Sequence, residues 1–175
     1  MAKPSGGIWS IVNIIDTISE WSGKIVRWLI FPLVFGSTYE VIARYVFHSP
    51  TLWAYDMSYM LHGSLFMLGA AYCLYRKSHI RTDIFYMNWS PKTQGWVDAI
   101  CYLFFFFPGI FFYFIAGVNE TAHSWQMLER SESGAWRPPI YPFKTVLPVT
   151  AFLLLLQGIS EFVKSLYAGI KGEWP

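Results

Sequence analysis

The chain has 175 residues, of which 54% are hydrophobic and 20% aromatic, and only 14% are charged. Because a soluble domain typically carries about 25% charged residues, this composition indicates one integral membrane domain over residues 1–175, with little room for a soluble catalytic lobe. The formal net charge of +2 is small and its basic residues lie beside apolar runs, which argues against a nucleic-acid-binding surface.

The first predicted element is an amphipathic helix over about residues 8–21. Ile8, Ile15 and Ile18 recur at helical spacing, but Asp16 and other polar residues interrupt the apolar run. We expect this helix to lie along the membrane surface, where its two faces meet lipid and water. A cleaved signal peptide is the alternative, although no small-x-small cleavage motif follows the segment.

The first transmembrane span is predicted over about residues 24–47 and carries Glu40 and Arg44 near its far end. At this i,i+4 spacing, with the acid first, the two side chains pair favourably on one helix face. Because a lone carboxylate inside a membrane is costly, we interpret Glu40 and Arg44 as a structural ion pair that locks this span against another helix. A proton or ion relay is the alternative, but it would need a longer chain of titratable groups.

The second span is predicted over about residues 55–75. Its 21 residues extend about 31 Å as an α-helix, which matches the ~30 Å of hydrocarbon in a bilayer. Trp53 and Tyr55 at its start are interfacial aromatic residues, and Arg76 and Lys77 at its end are the positive charges typical of a cytoplasmic loop.

The third span is predicted over about residues 96–118 and the fourth over about residues 144–166, with an outer loop over residues 119–142 between them. The third span contains four consecutive phenylalanines at residues 104–107. Because successive helical side chains point about 100° apart, these rings cannot all face one small bundle, and some must meet lipid or another subunit. We take Phe104 and Phe107 as candidates for partner contacts.

The basic residues predict the orientation of the chain. Nine of the 13 Lys and Arg residues lie in the N-terminal region, the second loop or the C-terminal tail, and four lie on the opposite side. By the positive-inside rule, both termini are therefore expected in the cytoplasm. The predicted fold class is an all-α membrane protein with four transmembrane helices, an N-in/C-in topology and an N-terminal interfacial helix.

No motif for catalysis or for metal or cofactor binding is present. The chain lacks HExxH, a phosphate-binding glycine loop and a nucleophile elbow. Its four histidines lie at unlike depths of the predicted spans or in loops, which disfavours a bis-histidine haem site. We expect an accessory membrane subunit with no catalytic residue, metal or cofactor. The alternatives are a haem-binding four-helix anchor subunit of a redox enzyme and a homo-oligomeric channel, for which a polar stripe along a span is missing.

Short motifs at the end of the first span, around the second span and in the loop after it fit a known pattern. They are Arg44-Tyr45-Val46-Phe47, Ser49, Trp53, Asp56, Gly69 and His79-Ile80-Arg81-Thr82-Asp83. Together they resemble the DctQ-like small membrane subunit (Q-type) of tripartite ATP-independent periplasmic (TRAP) transporters. The chain departs from the family pattern at Asp56, where the family usually has Glu, and at Thr82, where it usually has Val.

The resemblance implies a non-catalytic small permease subunit in the bacterial inner membrane. Such a subunit is a fixed scaffold for a large multi-helix membrane subunit, which carries the substrate and sodium sites and moves as an elevator. A soluble periplasmic binding protein would deliver an organic acid and dock partly on the outer surface of this chain. Residues 142–166 are similar to the branch of the family often associated with 2-oxo acids.

Six residues are candidates for contacts with these partners besides the two phenylalanines. Trp53 and Asp56 lie at the outer end of the second span, although an acid in the first turn of a helix is also a plain helix-start residue. Trp136 and Arg137 in the outer loop are available to the binding protein, with an ordinary exposed charge as the alternative for Arg137.

The remaining two candidates lie in the inner loop. His79 and Asp83 are four residues apart and either brace this loop or are simply solvated. No substrate-binding residue is predicted on this chain, since the resemblance places the substrate on other subunits.

Overall fold

The computed structural model describes residues 7–77, 86, 88–134 and 136–175, and in these residues every regular element is a helix. Four helical segments are long and apolar enough to cross a membrane, namely Gly7–Tyr45, Ala54–Tyr75, Pro91–Gln126 and Tyr141–Lys171. The predicted all-α fold with four membrane-spanning segments is therefore confirmed. The cytoplasmic location of both termini and the interfacial position of the first helix stay predictions.

The first segment consists of two α-helices, α1 over Gly7–Val26 and α2 over Ile30–Tyr45, separated by a 3₁₀ turn at Arg27–Leu29. Its 39 residues would extend about 58 Å as one straight helix, roughly twice the hydrocarbon thickness. The helix α1 continues past residue 21, and Gly23 lies against α3, where an added Cβ would clash with the Tyr72 ring. Glycine permits this close approach of α1 to α3, although it is by itself a poor helix former.

The second segment is helix α3, Ala54–Tyr75, and the third consists of α4, Pro91–Cys101, a π-helical stretch, Tyr102–Phe106, and α5, Phe107–Gln126. The helix α4 begins with Pro91 directly after Ser90, whose side-chain oxygen accepts a hydrogen bond from the Thr93 backbone N–H, an N-cap followed by proline at N1. The π-helical stretch ends just before Pro108, which has no N–H for the regular ladder.

The last segment consists of the short helix α6, Tyr141–Lys144, and the long helix α7, Val146–Lys171. The helix α7 is the centre of the fold, since α3, α4 and α5 all pack against it, whereas α2 lies at the edge and packs mainly on α3. Close packing depends on Gly95 of α4, where an added Cβ would lie 2.6 Å from the Ser165 carbonyl oxygen of α7.

The four consecutive phenylalanines differ in whether they pack against the apolar core. It is built on Ala71, Leu74, Tyr102 and Leu154, and the rings of Phe106 and Phe107 pack against it. Phe107 also meets Phe162 at 5.8 Å between ring centroids, so this candidate for a partner contact is half-buried in the protein's own core. By contrast, the side chain of Phe104 is 66% exposed and faces outward.

Candidate partner-binding surfaces

The sides of the helices expose large apolar side chains. Phe35 of α2 is 71% exposed, Phe66 of α3 is 75% exposed and Phe105 is 75% exposed. Contiguous apolar surface of this kind is covered by lipid or by another protein. These faces, on α2, α3 and the π-helical stretch, are among those available to a membrane partner.

Glu40 and Arg44 form an ion pair near the C-terminal end of α2. The Arg44 Nη2 atom lies 2.6 Å and its Nε atom 3.0 Å from Glu40 Oε1. The second carboxylate oxygen accepts hydrogen bonds from the Thr51 backbone N–H, at 2.9 Å, and from the Thr51 hydroxyl. The carboxylate thus ties α2 to the turn that leads into α3, through a residue that the sequence reasoning did not single out.

Trp53 and Asp56 lie at the start of α3 and have different surroundings. The Trp53 ring stacks on Tyr39 of α2 at 6.0 Å. Asp56 is only 2% exposed, and its Oδ1 accepts a hydrogen bond of 2.8 Å from the Ser131 hydroxyl in the outer loop. An added Cβ at Gly134 would lie 2.6 Å from Asp56 Oδ2. Asp56 therefore holds the outer loop against α3 and offers little surface to another chain.

One lysine, Lys144, links the two ends of the outer loop, which together form its neck. Lys144 Nζ lies 2.6 Å from Glu120 Oε1 at the end of α5 and 2.6 Å from Glu129 Oε2 in the loop. The hydrogen bond from Lys144 is the main cause that lowers the pKa of Glu129 below its usual value. Beside it the Trp125 and Tyr141 rings meet at 4.5 Å. The two ends of the loop are therefore fixed to each other.

Beyond this neck the loop is a short hairpin. The Ile140 N–H donates to the Glu129 carbonyl at 3.0 Å, and the Ser131 N–H donates to the Pro138 carbonyl at 2.9 Å. At its tip Trp136 is 45% exposed, and Arg137 is exposed with a positive φ of 47°. The hairpin thus presents an aromatic ring and a guanidinium group next to two pairs of hydrogen-bonded backbone groups.

The middle of α1 and the second half of α7 share a buried polar cluster that the sequence reasoning missed. Lys164 Nζ lies 2.8 Å from Asp16 Oδ2 and 2.7 Å from Glu161 Oε1, and the Ser160 hydroxyl donates to Asp16 Oδ1 at 2.6 Å. The signal available in the sequence was the spacing of Gln157, Ser160, Glu161 and Lys164, which places polar side chains on one face of a helix. Asp16 supplies the matching group on the amphipathic helix.

The two candidates in the inner loop, His79 and Asp83, lie outside the described residues. Among the residues that the structure does describe, no three His, Cys, Asp or Glu side chains are grouped as a metal ion would require. The polar side chains that the structure brings together form ion pairs and hydrogen bonds between elements, and these contacts brace the fold.

Comparison with known proteins gives one family. The model of the DctQ component of tripartite ATP-independent periplasmic transporters matches residues 33–167, which include most of α2, all of α3 to α6, the outer loop and most of α7. No curated protein matches the chain.

Proposed function

Because the chain belongs to the family of DctQ components of TRAP transporters, a non-catalytic transporter component with several membrane-spanning helices, we propose that it scaffolds the large membrane subunit of such a transporter. In this proposal the large subunit carries the substrate and sodium sites and moves as an elevator, and this chain stays fixed beside it. The match over residues 33–167 is the observation that carries the proposal. It does not favour the alternative of a redox anchor subunit.

Family membership also implies association with a periplasmic binding protein. We propose that the complex lies in the bacterial inner membrane with both termini of this chain in the cytoplasm, and that it takes up an organic acid, with a 2-oxo acid as the first to test. No cofactor is proposed on this chain. The exposed aromatic faces of α2, α3 and the π-helical stretch support a sideways contact with the large subunit, because such surface needs an apolar partner.

The scaffold role is tested by expressing the full chain with and without a TRAP large subunit. We expect a one-to-one complex, and sodium-driven solute uptake into vesicles only when the large subunit and the binding protein are both present. Uptake by this chain alone, or a large subunit that transports equally well without it, would refute the scaffold role.

The outer hairpin is the proposed contact for the binding protein, because its tip presents Trp136 and Arg137 and its neck is fixed. A combined change of Trp136→Ala and Arg137→Glu should weaken binding of the binding protein about tenfold, since aromatic and arginine side chains dominate protein interfaces. The matched control is Lys92→Glu, a charge reversal at an exposed residue in the first turn of α4. Unchanged affinity in the double variant would remove the hairpin from the interface.

A further inference from the structure

A cavity of about 340 Å³ lies between α2 and α3, where α2 ends and α3 begins. Its wall contains the ion pair of α2 together with two tyrosines and two serines. The lining residues used below are Glu40, Arg44, Tyr45, Tyr55, Ser37 and Ser58. A cavity of this size is within the range of small-molecule sites.

The carboxylate of the ion pair is already occupied by groups of this chain. Glu40 Oε1 accepts from the Arg44 Nε and Nη2 groups, and Oε2 accepts from the backbone N–H and the hydroxyl of Thr51. Four hydrogen bonds use the acceptor capacity of a carboxylate, and the Glu40 side chain is only 14% exposed. A ligand in the cavity therefore meets little of the negative charge of the pair.

The cation of the pair is only partly occupied. A guanidinium group has five N–H donors, of which two are bonded to Glu40, and no described residue accepts from the other three. The Arg44 side chain is 56% exposed, so the exposed part of the ion pair is its positive end. Because hydrogen-bond donors next to apolar surface need an acceptor, the cavity favours an anionic group with several oxygens.

The level of the cavity in the membrane indicates a phospholipid. Two of the apolar segments that can span a membrane end at Tyr45 and begin at Ala54, so Arg44 lies at the level where headgroups begin. Tyr45 is 72% and Tyr55 65% exposed, and exposed aromatic side chains are typical of this level. One turn further into the span Val41 is 54% exposed, as an acyl chain requires.

We propose that the cavity between α2 and α3 binds the phosphate of a membrane phospholipid through the Arg44 guanidinium. The phosphate oxygens accept from the N–H groups that Glu40 leaves free, and the planar fork of arginine donors matches the geometry of a phosphate. The acyl chains lie along the exposed apolar faces of the two helices. Because the contact is with the phosphate, the site accepts phospholipids with different headgroups and rejects diacylglycerol.

The proposal is tested by native mass spectrometry of the full chain with equal amounts of phosphatidylglycerol, phosphatidylethanolamine and diacylglycerol that have identical acyl chains. We expect about tenfold more of each bound phospholipid than of bound diacylglycerol, as for hydrogen bonds between charged groups. Ser58→Leu adds apolar bulk to the cavity without altering either charged residue, and it should remove most of this preference. The matched control is Ser64→Leu, the same change further along α3 at a residue that does not line the cavity, and it should leave the preference unchanged.

Arg44→Gln should also lower the binding of both phospholipids, whereas Arg44→Lys should keep part of it, since an ammonium group still donates to a phosphate. Circular dichroism shows whether each variant keeps the helical content of the unaltered chain.

Three results would overturn the assignment. Equal retention of phospholipid and diacylglycerol by the unaltered chain would show that the phosphate is not recognised. A full preference in folded Arg44→Gln would remove the guanidinium from the site, and a full preference in folded Ser58→Leu would place the lipid outside the cavity.

A competition experiment separates a lipid from a soluble anion. Inorganic phosphate at millimolar concentration should not displace the bound phospholipid, because it has no acyl chains to bury against the helices. Displacement by it would identify a soluble anion as the ligand instead. The assay measures no transport, so its outcome is independent of the scaffold role.

Discussion

Lys144 joins the two ends of the outer loop through Glu120 and Glu129, and this contact makes the loop sensitive to acid. The hydrogen bond from Lys144 lowers the pKa of Glu129 in the folded chain. Its stabilising contribution is therefore present above the pKa of the unfolded chain, about 4.3 for a glutamate, and is lost as the pH falls through the lower folded value.

We expect the loop to open more often below about pH 4, by no more than about fivefold, because the Glu129 side chain is 37% exposed and solvent screens such pairs. Hydrogen exchange of the Ile140 N–H, which donates to the Glu129 carbonyl, reports this opening. In Glu129→Gln the Ile140 N–H should exchange at this faster rate at neutral pH as well. The control is Glu132→Gln, which changes an exposed acid in the same loop and should leave the exchange rate as in the unaltered chain. Identical acid profiles for all three proteins would contradict the role of Glu129.

The helices α4 and α7 pack so closely that one methyl group should separate them. In Gly95→Ala the new Cβ would lie 2.6 Å from the Ser165 carbonyl oxygen, and a helix backbone cannot move aside as a side chain can. We expect the free energy of unfolding to fall by about 1–3 kcal/mol, measured by denaturation in detergent with circular dichroism. Gly109→Ala is the matched control, because an added Cβ there meets nothing within 4 Å. Equal stability of the two variants would contradict the packing argument.

The helices could be predicted from the sequence because their signals are local. A run of apolar residues of the right length predicts a membrane-spanning helix, and i,i+4 spacing is enough to suggest a contact between Glu40 and Arg44. Local signals cannot predict the contact of Asp56 with Ser131 or that of Asp16 with Lys164. The two residues of these contacts are 75 and 148 residues apart in the sequence, respectively. These contacts depend on how α1, α3 and α7 pack, so the buried roles of Asp56 and Asp16 required the structure.

At the scale of the whole molecule, two braced polar ends flank an apolar middle. The end that carries the loop over residues 119–142 contains the Glu40, Asp56 and Lys144 contacts, and the opposite end contains the Lys164 cluster. Between them most of the exposed side chains of α2, α3 and the π-helical stretch are aromatic or aliphatic, with Thr38 and His62 among the exposed polar exceptions. This distribution lets the chain keep its shape through its ends while its sides remain available to lipid and to a large membrane subunit.

The distribution of basic residues predicts which end faces the cytoplasm. Single cysteines at Lys92 and Lys171, both exposed, should react with a membrane-impermeant maleimide only after the inner membrane is opened, in a background that lacks Cys73 and Cys101. A cysteine at Glu132 should react in cells whose inner membrane is intact, since the excess of Lys and Arg keeps the termini and the second loop inside. The reverse pattern would place the outer hairpin in the cytoplasm, where a periplasmic binding protein could not reach Trp136 or Arg137. It would thus refute the predicted orientation and the proposed docking site together.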